Sequence, residues 1–448
     1  MAPSGSVQGA SWRDASPPRP GGRFWIETLG CPKNAVDSDK VTASLLEDGL
    51  TPASSAADAD LVVVNTCAFI EAARQESIDT VLALADARKD GARLVVTGCL
   101  AERYGAELAE ALPEADAVVG FAGEGSISEV VLRRPPKAGP RDLLELPRPA
   151  PAAPWAYVKV AEGCDRTCAF CAIPSFRGKQ RSRAPESILA EARSLVAGGV
   201  RELVLVAQDL ASYGRDAGSP GALAPLLHSL DGLAGEGLTR VRLLYLYPSQ
   251  VRDPLVGAML DLETPVPYFD LSLQHASEPL LKRMRRWGSG DRFVEMIDGI
   301  RRREPAAAFR SSFIVGFPGE TEEDHEALLR FLEAAALDWA GLFPFSAEDG
   351  TPAAAMDGAV AGEVVKERLD ELSVVQDRIT QAARDALVGC GVEVLVDEEE
   401  DGAAVGRTHR EAPEIDGVVR LRGACPPGTV VSARVVSAIG PDLVAEVA

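Results

Sequence analysis

The chain has 448 residues, a net charge of −21, 46% hydrophobic and 25% charged residues, and eight cysteines. That length fits roughly three domains of about 150 residues each and is far beyond a small disulfide-stapled scaffold; no apolar run approaches the roughly 20 residues needed to span a bilayer. The acidic balance would repel nucleic-acid phosphate over most of the surface and suits a basic partner, though solubility alone is an equal explanation of such a charge.

In chain order, residues 1–22 are rich in Pro, Gly and Ser and lack the apolar core of a secretory signal, so they read as a disordered tail on a cytoplasmic protein. In that reducing compartment, cysteines point to metal ligation or redox chemistry rather than to disulfides. Apolar runs at 24–26, 61–64 and 94–96 alternate with amphipathic stretches at 41–46 and 70–84, which predicts an α/β, doubly wound parallel-sheet domain over 23–134. Prolines and charges replace the pattern at 135–154, a linker. A second alternation over 155–385 has strands at 157–160, 203–206, 241–246, 268–273, 313–315 and 342–345, and predicts a partial (β/α) barrel with its site at the strand carboxyl ends. A long helix at 364–388 precedes short strands at 392–396, 418–421, 430–436 and 443–447, so 386–448 reads as a small β-barrel. Residues 387–448 carry eleven acids and five bases, with the block 397–401 reading as a solvated acidic loop.

Cys164, Cys168 and Cys171 form CxxxCxxC in EGCDRTCAFC, directly after the first strand of the second domain. Three thiolates on one loop hold three corners of a 4Fe-4S cluster and leave the fourth iron open. That iron can chelate the amino and carboxylate groups of S-adenosylmethionine, whose reductive cleavage yields a deoxyadenosyl radical. Zinc is the bland alternative, but the matching second half of Cys or His is not nearby. Cys31, Cys67 and Cys99 are more than 30 residues apart, yet each immediately follows a predicted strand. Parallel strands end on one edge, so these three can converge at one crevice as a second cluster site; taken singly, each reads as a buried free cysteine. Cys390 and Cys425 read as structural.

Gly316, Gly319 and Glu320 in IVGFPGET end a barrel strand, where glycine lets the backbone approach a bound nucleoside; a plain strand-to-helix turn is the alternative. Gln208, Gln274 and His275 also end strands and are candidate cofactor contacts, although a lone histidine is as often structural.

Together GCPKNAVDSD, NTCAFIEAARQES, VVTGC, EGCDRTCAFCAIPSFRG, AQDLASYG, LQHAS and GFPGET resemble the radical S-adenosylmethionine methylthiotransferases, over the chain from about Phe24 to its end. The resemblance implies a methylthiotransferase domain, a radical barrel and a C-terminal TRAM barrel. It implies two 4Fe-4S clusters, an auxiliary one on Cys31, Cys67 and Cys99 and a radical one on Cys164, Cys168 and Cys171, with S-adenosylmethionine as both methyl donor and radical source. Lys33, Phe69–Ile70, Ala207–Gln208–Asp209 and GRTHREAPEIDG (406–417) look like the branch that modifies the β-carbon of an aspartate in ribosomal protein S-twelve, free or in the small subunit, with an electron donor such as a flavodoxin or ferredoxin. The branch acting on tRNA adenosine is the alternative. A non-catalytic iron–sulfur carrier, a third possibility, would need neither open irons nor a TRAM-like tail. Ser272, where the family pattern has proline, and Asp39, where glutamate is more frequent, depart from that pattern away from any ligand position.

Overall fold

The computed structural model describes residues 21–124, 127 and 142–448; most of the expected tail, and 135–141 of the expected linker, lie outside the described residues. The chain divides into two compact units, Met1–Ala150 with Glu162–Asp165 and Cys171–Lys179, and Pro151–Ala161 with Arg166–Phe170 and Gln180–Ala448.

In the first unit β1 (Arg23–Thr28), β2 (Thr51–Pro52), β3 (Leu61–Thr66), β4 (Arg93–Gly98) and β5 (Ala117–Val119) form a parallel sheet in the order β2-β1-β3-β4-β5. Every residue of β3 and β4 is buried, as strands covered on both faces require. Alternation sorts their side chains. Leu61, Val63 and Val95 pack with Val41 and Leu45 of α1 (Pro32–Glu47). Val62, Val64, Leu94 and Val96 pack with Val81 of α2 (Glu71–Ala87) and Leu100 and Leu108 of α3 (Cys99–Ala111). The strand order reverses between β1 and β3, and in such sheets ligands bind outside the carboxyl ends of the strands at this switch point. Neither β2 nor β5 stood out in the sequence, because two or three residues carry too little periodicity. The later part of the expected linker packs on α1, where buried Lys40 donates to the Leu144 carbonyl and Arg148 pairs with Asp39.

The second unit opens with β6 (Trp155–Lys159), followed in chain order by the two-residue strands β7 (Ala161–Glu162, whose Glu162 belongs to the first unit) and β8 (Arg181–Ser182), then by β9 (Glu202–Val206), β10 (Arg240–Leu246), β11 (Pro265–Gln274), β12 (Ala308–Val315) and β13 (Trp339–Pro344). The six longer strands make an open parallel sheet in the order β13-β12-β11-β10-β9-β6. All six expected strands are present. Several begin earlier than the apolar runs suggest, because charged and hydroxyl residues such as Arg310, Ser311 and Ser312 interrupt the hydrophobic signal.

A helix over Gly362–Asp385 leads into a closed five-stranded barrel of β14 (Gly391–Glu400), β15 (Ala403–Arg407), β16 (Val419–Arg422), β17 (Val430–Ile439) and β18 (Asp442–Val447). Here the acidic block is not a loop. β14 runs through it to Glu400, which pairs with Ala403 across a two-residue turn. Asp401 and Gly402 have φ of 51° and 78°, the double positive φ of a type I′ hairpin. Asp397 is no part of an exposed acidic face: it pairs with buried Arg407.

The segment after β15, read above as a branch signature, closes the amino ends of the six-stranded sheet. Tyr157 donates to the Pro413 carbonyl (3.0 Å), Arg242 to the His409 carbonyl (2.7 Å), Tyr268 to Asp416 (2.6 Å) and Trp339 to the Arg410 carbonyl (2.7 Å). Fully buried Glu202 pairs with Arg242 at 2.6 Å and Arg407 at 2.9 Å. Burial alone would raise the Glu202 carboxyl, but Arg242, Arg407 and Arg240 outweigh it and hold the pKa at about 2. This segment therefore locks the small barrel to the amino ends of the sheet, opposite the strand carboxyl ends where sites form in such folds.

Candidate functional site

In the first unit the three dispersed cysteines meet at the switch-point edge. Cys31 follows β1 and stands at the N-cap of α1, Cys67 directly follows β3, and Cys99 directly follows β4 as the first residue of α3. Gly30, with φ of 91°, allows the close approach: a Cβ there would lie 2.7 Å from Cys67 Cβ and 2.9 Å from Cys67 Sγ, nearer than any side chain tolerates. Asn34 then ties the loops. Its Nδ2 donates to the carbonyls of Leu29 (2.9 Å) and Thr66 (3.0 Å), and its Oδ1 lies 3.7 Å from Cys99 Sγ. Ser77 accepts from the Cys67 N–H at 3.0 Å.

The electrostatics favour sulfur anions unevenly. Cys31 lies at the amino end of a 16-residue helix, where the backbone dipoles favour negative charge, whereas the helix that Cys99 begins is broken at Gly105 after its first turns. For Cys31 burial raises the pKa, but Lys33 and Arg177 bring it below the ordinary thiol value. Burial pushes the Cys67 thiol up, and the Cys99 thiol up to about 12 against the pull of Arg177. Coordination to a metal deprotonates such thiols outright, so the donor set suits a cationic, thiophilic group. Among the described residues no three His, Cys, Asp or Glu side chains enclose a single metal-ion position. In a cluster each thiolate binds a different iron, and the sulfurs stand farther apart than around one ion.

The CxxxCxxC segment is clasped at its base within the same unit. The Cys164 N–H donates to the Gly178 carbonyl at 3.0 Å, and a Cβ on Gly163 would come within 2.1 Å of the Lys179 carbonyl oxygen. Cys168 belongs to the second unit. There Arg286 donates to its Sγ at 3.4 Å, and the guanidinium groups of Arg286 and Arg166 lie 4.1 and 3.7 Å from the Tyr247 ring centroid. Arg166 also pairs with Asp209 at 2.6 Å. Two arginines held on one ring place positive charge beside Cys168.

The softer candidates separate. Glu320 closes its own turn: it accepts from the N–H groups of Gly316 (2.5 Å) and Phe317 (3.2 Å) and pairs with Arg368 (3.0 Å). A Cβ on Gly316 would meet Val365 at 2.4 Å, and one on Gly319 would meet Arg283 Nε at 2.8 Å, at φ of 82° and 86°. These glycines let the turn pack against the helix Gly362–Asp385 and against Arg283, and Gly316 also lines a cavity with Pro318 and Val365. His275 is fully buried, its Nδ1 accepts from the Ser277 N–H at 3.1 Å, and burial lowers its pKa to about 4. Its Nε2 is buried without a hydrogen-bond partner among the described residues. Gln208 and Gln274 stand half-buried at the carboxyl edge of the sheet. Gln274 has φ of 74°, a strained conformation of the kind held at functional sites.

Asn34, Arg177, Tyr247 and Arg286 were missed in the sequence. The first two lie inside GCPKNAV and CAIPSFRG, and the signal available was a strongly polar residue amid apolar and small neighbours beside a cysteine.

Family models match this chain at residues 23–120 (Uncharacterized protein family UPF0004), 158–332 (Radical SAM superfamily) and 388–448 (TRAM domain). The ribosomal protein uS12 methylthiotransferase RimO of Saccharopolyspora erythraea is 44% identical over 94% of this chain and 94% of its own. That of Moorella thermoacetica is 44% identical over 92% of this chain and 96% of its own. Among solved structures, the radical S-adenosylmethionine methyltransferase TsrM from Kitasatospora setae shares the fold, with a TM-score of 0.52 at 14% identity over 72% of each chain.

Proposed function

The chain belongs to the RimO family of radical S-adenosylmethionine methylthiotransferases, and from that premise we propose that it installs a methylthio group on the β-carbon of an aspartate in ribosomal protein uS12. The relatives carry the ribosomal name, which favours a protein substrate over tRNA. A 4Fe-4S cluster and S-adenosylmethionine come with the radical superfamily. A second cluster is our own assignment.

The observation that carries this reading is the meeting of Cys31, Cys67 and Cys99 around Asn34 at the switch-point edge. We assign them to the auxiliary cluster, and Cys164, Cys168 and Cys171 to the radical cluster. When bound, the radical cluster and S-adenosylmethionine supply a radical able to take hydrogen from an unactivated carbon, and the auxiliary cluster holds the sulfur to be inserted. The chain's own residues place these groups and surround them with cationic side chains. The reductant is a small electron carrier such as a flavodoxin or ferredoxin, and the work is done in the cytoplasm. Among the described residues no helix is long and apolar enough to cross a membrane.

Anaerobically reconstituted protein is expected to hold about eight irons, two clusters of four on two three-cysteine sites. A count near four with all six cysteines intact overturns the two-cluster assignment. Mass spectrometry of uS12 and of tRNA from cells lacking the chain tests the substrate: the methylthio group must vanish from uS12 and stay on tRNA.

The β14–β15 hairpin presents exposed Glu398, Glu399 and Glu400, which fits a basic ribosomal protein better than RNA phosphate. Association with isolated uS12 is expected to weaken with salt as the Debye length falls to about 8 Å at physiological strength. Replacing the three glutamates by glutamine should weaken it and flatten that salt dependence. Tight tRNA binding indifferent to both changes would point to the tRNA substrate instead.

A further inference from the structure

Arg177 lies six residues beyond Cys171, yet its guanidinium reaches the other set of cysteines. Its side chain is 3% exposed. Nη2 donates to Cys99 Sγ at 3.1 Å and to Asn34 Oδ1 at 2.7 Å. Nη1 donates to both oxygens of Glu162 at 3.0 Å and to Asp37 at 3.3 Å. Phe121 covers one face, with its ring centroid 4.3 Å from the guanidinium carbon. All these groups belong to the first unit.

The partners fall into two sets. Cys99 and Asn34 belong to the edge where the dispersed cysteines meet, and Asp37 comes from α1, which Cys31 caps. Glu162 stands two residues before Cys164, at the clasped base of the CxxxCxxC segment. The helical turn Ile173–Phe176 brings the chain from Cys171 to this point, and Phe176 packs into the core that includes Leu100 and Cys99. One buried fork thus holds a thiol of one cysteine set and the base of the loop bearing the other. A simple buried ion pair would be satisfied by Asp37 and Glu162, so the bond to sulfur is a further contact that pairing does not require.

We propose that Arg177 is a positioning residue for the auxiliary cluster, which fixes Cys99 and, by its charge and its hydrogen bond to sulfur, raises that cluster's reduction potential. The proposal rests on the assignment of Cys31, Cys67 and Cys99 to a cluster. The physical reason is general: positive charge and donors to ligating sulfur favour the reduced, more negative cluster. Lysine carries the charge but lacks the planar fork that binds four partners at once.

The test uses the full chain with Cys164, Cys168 and Cys171 replaced by alanine, so that only the auxiliary site can assemble. Iron content and the potential from a redox titration followed by electron paramagnetic resonance are measured in this background, in Arg177→Lys, and in Arg177→Gln combined with Asp37→Asn. The double change removes a buried acid together with its partner, which guards against simple unfolding. The background is expected to hold about four irons. Arg177→Lys, which keeps the charge but not the fork, and the double variant, which loses the donor to Cys99 Sγ at unchanged net charge, should each shift the potential downward or lose iron while the melting temperature is unchanged. Iron and potential both unmoved in the two variants would reduce Arg177 to a structural ion pair and overturn the proposal. Iron missing from the background itself would overturn the cluster assignment, and the proposal with it.

Discussion

Replacing Cys164, Cys168 or Cys171 by alanine is expected to abolish reductive cleavage of S-adenosylmethionine, whereas replacing Cys31, Cys67 or Cys99 should leave cleavage running and stop methylthiolation. The difference follows from what each site can do. Cleavage needs an electron from the reductant, an open iron and the sulfonium of S-adenosylmethionine; in the proposed assignment the CxxxCxxC loop would hold the cluster that brings the latter two together. Sulfur insertion also needs a site that holds the sulfur in place, which the proposed assignment gives to the cysteines gathered around Asn34. Loss in both cases should be effectively complete, since a cluster with one missing thiolate is poorly held. Product analysis separates the two: deoxyadenosine formation without methylthiolated uS12 is expected from the Cys31, Cys67 and Cys99 variants. Equal loss of cleavage in all six, in folded protein, would sink the division of labour.

Replacing Glu202 by glutamine should destabilise the second unit by about 3–5 kcal/mol, the usual effect of removing one partner from a buried charge network. Arg242 and Arg407 would be left facing each other with side chains 0% and 2% exposed. The acid side has a definite sign. Glu202 has a folded pKa of about 2 against an ordinary 4.5. Its contribution is therefore fully present above about pH 4.5 and is lost as pH falls toward 2. A gap of about two and a half units corresponds to roughly 3 kcal/mol, in line with the mutational figure. Asp416 acts in the opposite sense, because burial raises its carboxyl to about 6 against the pull of Arg310. Its contribution is present below about pH 4 and lost as pH rises through 6. Unfolding midpoints from pH 3 to 8 should show the wild-type advantage over Glu202→Gln closing only at the acid end. A constant difference across that range, or none, would refute the role assigned to this network.

Much of the architecture lies in contiguous residues and was therefore readable from sequence alone. The alternation of apolar runs and helices, the CxxxCxxC spacing, and the placing of Cys31, Cys67 and Cys99 just after strands are local properties, and strand direction in a parallel sheet then implies a shared edge. Tertiary structure decided what depends on long-range packing. The reversal of strand order between β1 and β3 brings Cys31 and Cys67 side by side, and Gly30 is required there only because of where Cys67 lies. Arg177 reaches Cys99 across 78 positions and Asn34 across 143; no pattern within a helix or strand encodes such a pairing. The same reason explains Glu320 and the GFPG glycines, whose partners Arg368, Arg283 and Val365 come from other segments. It also explains the acidic block, where one periodic strand became a hairpin only once β15 supplied its partner. A sequence states which residues can carry charge, thiol or turn; packing decides which of them are brought together and which are buried without water, and the chemistry of this site depends on both.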